Sequence, residues 1–175
     1  MKKSTLLSIA MLAAACITSV PSFALEQDAD GYYLIGSKAD LQEWTTISGY
    51  EATNAKLTAD IDNVDFMLCT NSASFEGIFD GQGHTISGLN VNMNGGLGAM
   101  CSISSGAVLM NMTVEGSITY AATAKNSPTG LVGHLHGTMY NVTNRTTINA
   151  SSSADLLYLG GLAGWVHGNG KLINC

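Results

Sequence analysis

Gly161-Leu162-Ala163-Gly164 and Lys171-Leu172-Ile173-Asn174-Cys175 repeat an earlier pair of segments, Gly130-Leu131-Val132-Gly133 and Thr138-Met139-Tyr140-Asn141-Val142. Two copies of a Gly-apolar-apolar-Gly step, each followed by an apolar-x-Asn-apolar step, mark a repeat architecture. Leu109-Met110-Asn111-Met112 fits the second step as well, and Ile86-Ser87-Gly88-Leu89 fits it with glycine in place of asparagine. On this alignment Ile86, Leu109, Met139 and Leu172 follow one another at steps of 23, 30 and 33. A period that lengthens while its glycines stay in place predicts one coil per repeat, with insertions at a tolerant corner. The inserted stretches 120–129 and 150–159 are rich in Ala, Ser, Thr, Asn and Asp and read as loops.

The run Ser74-Phe75-Glu76-Gly77-Ile78-Phe79-Asp80-Gly81-Gln82-Gly83-His84-Thr85-Ile86-Ser87-Gly88-Leu89, followed by the GLVG and GLAG units, resembles bacterial surface proteins that carry GLUG repeats. The same pattern occurs in the non-catalytic part of some IgA-specific metallopeptidases. The resemblance covers roughly residues 30–175, and residues 98–103 depart from it, with Cys101 where the second glycine belongs. It implies an all-β fold, a right-handed parallel β-helix similar to those of adhesins and pectin-lyase-like proteins.

Composition agrees with a stacked fold. Charged residues make up 11% of the chain, well under the roughly 25% of an average soluble domain, so many neutral side chains must be stacked or buried. Lys2 and Lys3 precede an apolar run over 6–17, and Ser22-Phe23-Ala24 offers small residues at the cleavage-determining positions. Residues 1–24 therefore read as a secretory signal peptide, too short in its apolar part to span a membrane. A lipoprotein reading at Cys16 competes, but Ala13 stands where leucine is expected. Removing the leader leaves Lys38, Lys56, Lys125, Arg145 and Lys171 against thirteen acidic residues, a net charge of −8. That balance argues against nucleic acid and anionic lipid as partners.

Residues 25–54 read as an N-terminal cap region and 55–175 as an incomplete set of coils. Ser37-Lys38-Ala39-Asp40 starts a helix over 37–47 with Leu41, Trp44 and Ile47 on one stripe, placed to cover the first open strand edge. Strands are expected over 55–61, 85–91, 108–114, 117–120, 131–136, 139–143 and 162–167. Glycines 81, 83, 88, 116, 133, 137, 164, 168 and 170 are expected at corners that need positive φ. With no polar closing segment after Cys175, the chain reads as the beginning of a longer protein, cut within its repeats.

Three cysteines follow the leader. Cys175 occupies the position of Val142 and Met112 and is expected to be a small buried apolar group, and a Cys69–Cys101 bridge is open as an alternative to free thiols. Asp60, Asp62, Asp65 and Asp80 fit no calcium-loop spacing and read as turn carboxylates, with Asp80 bonded to its own corner. Asn111, Asn141 and Asn174 share one repeat position and predict a buried amide ladder, which sets aside the sequons at Asn111 and Asn141. No HExxH, GxSxG or P-loop is present, and only Arg145, Lys171 and Asp155 lie where a pectin-lyase-like active face would need clustered charges. No catalytic residue, metal or cofactor is assigned.

One patch is a candidate ligand site. Aligning Leu131 with Leu162 pairs His134 with Trp165, Leu135 with Val166 and His136 with His167. Leu135 and Val166 then face inward, and His134, His136, Trp165 and His167 face outward on adjacent strands. Such a patch stacks a sugar ring, holds a transition metal, or is an ordinary outward aromatic ladder. The chain as a whole reads as a secreted or cell-surface, adhesin-like interaction scaffold whose partner is a glycan or protein surface. The alternatives are a carbohydrate-binding module and the non-catalytic front part of a larger secreted protease or glycan-active enzyme.

Overall fold

The computed structural model describes residues 25–68, 74–93, 98–122, 127–153 and 157–175. The expected signal peptide, Cys69, Lys125 and Asp155 lie outside the described residues. The described chain is predominantly β, with one α-helix, and its strands pair in parallel.

Strand β1 (Tyr33–Ile35) leads into helix α1 (Lys38–Thr46). The Ser37 hydroxyl caps α1 by accepting from the Asp40 N–H at 3.2 Å, and the Asp40 carboxylate accepts from the Gly36 N–H at 3.0 Å. One orphan donor of the first turn is thereby satisfied, and Asp40 reaches back to the residue before the N-cap, a variant of the capping box. Leu41 and Trp44 are buried as the stripe predicts, while Ile47 is half-buried. The Trp44 indole meets Tyr50, Phe75 and Phe79 at ring separations of 5.1, 6.1 and 5.5 Å and donates to the Thr53 hydroxyl at 2.9 Å. Phe79 belongs to the third strand, so the helix covers the N-terminal end of the strand stack.

The main sheet runs β1, β2 (Ala55–Leu57), β3 (Ile78–Asp80), β5 (Val108–Ala122), β8 (Thr138–Ser152) and β11 (Lys171–Ile173), with β4 (Thr85–Met93) also on β5. Two further rows pair β7 (Val132–Leu135) with β10 (Ala163–Val166), and β6 (Ser127–Thr129) with β9 (Leu157–Leu159). Phe75, Ile103 and Leu135 are bridged in parallel in the same progression.

The register corrects the alignment of the first coil. Phe79 lies beside Leu109, Leu109 beside Met139, and Met139 beside Leu172, at steps of 30, 30 and 33. Ile86 instead pairs with Val114, and Leu89 with Gly116. The residue packed against Met112 is therefore Gly81, not Leu89. A side chain there would collide with Met112 and the Asn111 carbonyl, which is why the Phe79-Asp80-Gly81 corner ends in glycine.

Strands β5 and β8 each turn at one left-handed asparagine, and a third such asparagine follows β11. Asn111, Asn141 and Asn174 have φ of 54°, 53° and 53°, the left-handed region that asparagine tolerates better than other side chains. This single turn shifts the inward phase, so Leu109 and Met112, and Met139 and Val142, are both buried although they stand three apart. The corner is tied laterally: Asn141 Nδ2 donates to Asn111 Oδ1 at 3.2 Å, and Asn111 Nδ2 donates to Asp80 Oδ1 at 3.0 Å. Asp80 also accepts from the Gln82 N–H at 2.9 Å, the Asx turn expected of it. The ladder lies nearer the surface than expected, since Asn111 is half-buried and Asn141 exposed.

Glycine has a second role beside the one predicted. Of the corner glycines named from sequence, Gly83, Gly88 and Gly116 take positive φ. Gly137 and Gly170 are required by close approach instead, because a β-carbon would strike the carbonyls of Ala107 and Leu135 respectively on the adjacent coil. The stretches read as loops are also partly strand: β5 and β8 stay paired through Ala122 and Ser152, and β6 pairs with β9. Ser, Thr and Asn stack readily when identical strands lie in register, since each backbone group finds its partner in the neighbouring coil.

Cys101 is disulfide-bonded, and its proposed partner Cys69 lies outside the described residues. Cys175 is a free, exposed thiol rather than a buried apolar group. It is level with Val142 in the repeat, but no described strand covers it from the far side.

Candidate functional site

The outward face of β7 and β10 is assembled as the offset of the two Gly-apolar-apolar-Gly steps predicts. Trp165 pairs with His134, and Val166 with Leu135. Backbone bonds fix the strand ends: the His167 N–H donates to the Leu135 carbonyl at 2.9 Å, and the His136 N–H to the Ile103 carbonyl at 2.8 Å. Leu135 is fully buried, as an inward residue should be, whereas Val166 in the last coil is 42% exposed.

Alternation then brings four rings together outside. His134 Nδ1 lies 2.9 Å from His167 Nε2, hydrogen-bond distance between two imidazole nitrogens, one of which must carry the proton. His136 stacks on His167 with centroids 3.8 Å apart and planes at 11°. Trp165 stacks on His167, two residues along, at 5.0 Å, and Tyr158 leans on Trp165 at 4.9 Å. Tyr158 was not identified from sequence because it falls in the stretch read as a loop. The alternation Leu157-Tyr158-Leu159 is a strand signal there, hidden by its partner Ser127-Pro128-Thr129, whose proline argues against a strand.

Burial holds the His134 imidazole below its ordinary pKa, with the nearby His167 and then His136 adding to the effect. His167 is lowered chiefly by burial and then by His136. Neutral imidazoles are therefore favoured at neutral pH, which leaves ring nitrogens with free lone pairs. Among the described residues, the ligand atoms of His134, His136 and His167 form a group whose members all lie within 4.8 Å of one another.

The aspartates considered for calcium are occupied separately. Asp60 accepts from the Thr85 N–H at 2.8 Å and faces His84 Nδ1 at 3.1 Å, Asp62 accepts from the Ser87 hydroxyl, and Asp65 pairs with Lys38 at 2.7 Å. Asp80 is committed to the asparagine ladder. Of the charges weighed for a pectin-lyase-like face, Arg145 pairs with Glu115 at 3.0 Å, and Lys171 begins β11.

The chain is 31% identical over 158 aligned residues to halomucin of Haloquadratum walsbyi, an alignment that takes in 80% of this chain and 2% of halomucin. The chain thus spans about one fiftieth of the length of that curated relative. No family model and no solved structure matches it. No helix among the described residues is long and apolar enough to cross a membrane.

Proposed function

We propose that this chain belongs to a secreted or cell-surface GLUG-repeat protein, and that its parallel rows close into a right-handed β-helix serving as an adhesin-like interaction scaffold. The observation that carries the reading is the register of Phe79, Leu109, Met139 and Leu172 across consecutive coils, tied by the Asp80–Asn111–Asn141 side-chain ladder. Repeats joined in this way contact only their neighbours and extend one dimension, which suits a stalk or display surface. In such a reading the coils hold outward side chains at fixed spacing, and the partner is a glycan or protein surface. The leader at 1–24 and the net negative charge support export, and the likeness to a stretch of a protein named halomucin points the same way. No catalytic role is proposed for these residues.

Cell fractionation with surface proteolysis tests the location, and binding of the purified chain to immobilised glycans and host matrix proteins tests the role. A protein retained in the cytoplasm would refute the proposal. So would saturable turnover of a glycan or peptide by the purified chain.

A further inference from the structure

We infer that His134, His136 and His167 form a transition-metal site that clamps two adjacent coils. Two ligands stand on the segment of β7 and the third follows β10, so the ion would add a coordinate link between coils joined there by backbone bonds and ring contacts. Imidazole nitrogens suit zinc, copper and nickel, and three histidines are a known complement for zinc, with further positions left to water or an incoming ligand.

The distances fit. At a metal–nitrogen length of about 2.0–2.1 Å, tetrahedral ligands stand about 3.3 Å from one another. The ligand atoms here lie within 4.8 Å, and His134 Nδ1 and His167 Nε2 are already at 2.9 Å. To close the remaining gap the exposed His136 ring would turn off its stack on His167, so that its lone pair converges with the other two. The proton now shared between His134 and His167 moves to the far nitrogen of its own ring, so each of the two facing nitrogens can give a lone pair to the ion. Trp165 favours a metal over a sugar platform, because its ring already stacks on His167 and meets Tyr158. His84, the remaining histidine, is tied to Asp60 well outside this group and serves as the internal control.

The test is calorimetric titration of the chain, purified without a histidine tag, with zinc chloride, alongside cobalt(II) absorption and histidine-ring NMR. The expected result is one zinc per chain, with ring signals of His134, His136 and His167 moving and those of His84 unchanged. Loss of one of three ligands in His136→Gln or His167→Gln should weaken zinc binding by at least about tenfold, and His84→Gln should leave it unchanged. Zinc held at 100 times its Kd should slow amide exchange in β10 by about 100-fold where exchange requires that coil to detach. Absence of binding at millimolar zinc, or ring shifts confined to His84, would overturn the site even if a variant failed to fold. So would binding that both histidine variants retain in full.

Discussion

The coil over 130–142 and the coil over 161–175 carry the same motif in the same register, yet they differ in what they bury. Leu131, Val132, Leu135, Met139 and Val142 are fully buried. Their counterparts Leu162 and Ala163 are half-buried, Val166 and Leu172 are 42% and 43% exposed, and Cys175 is exposed. The apolar pattern and the strand register are shared between the two, so the difference in burial comes chiefly from the neighbours. The inner coil has strands stacked on both sides, whereas the outer one has a described neighbour on one side only. In a one-dimensional stack the core belongs to the interface between coils, and stability should fall from the middle toward an uncovered end. At the opposite end α1 supplies the missing neighbour, with Trp44 over Phe75 and Phe79.

The largest expected effect follows from that contrast of ends. Trp44→Ala should destabilise the chain by about 3–5 kcal/mol, because it removes a buried indole, its hydrogen bond to Thr53 and the cover of the first coil. Urea unfolding followed by near-ultraviolet circular dichroism measures the loss, and an aspartate at the same position should also raise aggregation on refolding. A loss under about 1 kcal/mol would remove α1 from its role as cap.

Next comes the direct comparison of equivalent residues. Met139→Ala should cost about 2–5 kcal/mol, whereas Leu172→Ala, beside it in register but 43% exposed, should cost under about 1 kcal/mol. Equal losses in urea unfolding would show that burial does not depend on the neighbouring coil.

A smaller effect is expected at the asparagine corner. Asn141→Ala loses the bond to Asn111 and forces an alanine to φ near 53°, together about 1–2 kcal/mol. Asn141→Gly restores the backbone freedom and should recover part of that loss. If glycine were worse than alanine, the left-handed geometry would not be the reason for asparagine there.

The smallest effect concerns acid. The Asp28 carboxyl is held below its usual range, first by Lys56 and then by the Tyr32 backbone N–H. A lowered folded pKa contributes stability above the unfolded value of about 3.9 and loses it as pH falls through the folded value. Asp28→Asn should therefore flatten the decline in melting temperature below about pH 4 and leave its shape above pH 5 unchanged. A steeper acid decline in the variant would contradict the pairing with Lys56.

The parts legible in the sequence were those with strong local chemistry. Ser37 and Asp40 mark a helix start because few other residues satisfy its free N–H groups, and the GLVG and GLAG copies sit close enough to fix the 31-residue offset that assembles the histidine face. The first coil was misread because Ile86-Ser87-Gly88-Leu89 resembles the asparagine step more closely than Ile78-Phe79-Asp80 does. What decides the register is the packing of Gly81 against Met112, a contact between coils that no local pattern carries. Gly137 was legible as special but not for the right reason, since its constraint comes from the Ala107 carbonyl on the next coil. Strands β6 and β9 were missed because serine, proline and threonine signal loops until a parallel partner satisfies their backbone.

The central claim is that each coil is stabilised by its neighbours rather than by itself, and residue-resolved native-state hydrogen exchange without added metal tests it most directly. The account predicts that amides of β5 and β8 exchange only through the most costly openings, while those of β10 and β11 open at a lower free energy and as one unit. Equal opening free energies for β8 and β11 would contradict it, because the two coils would then be parts of a single core and not successive layers of a stack.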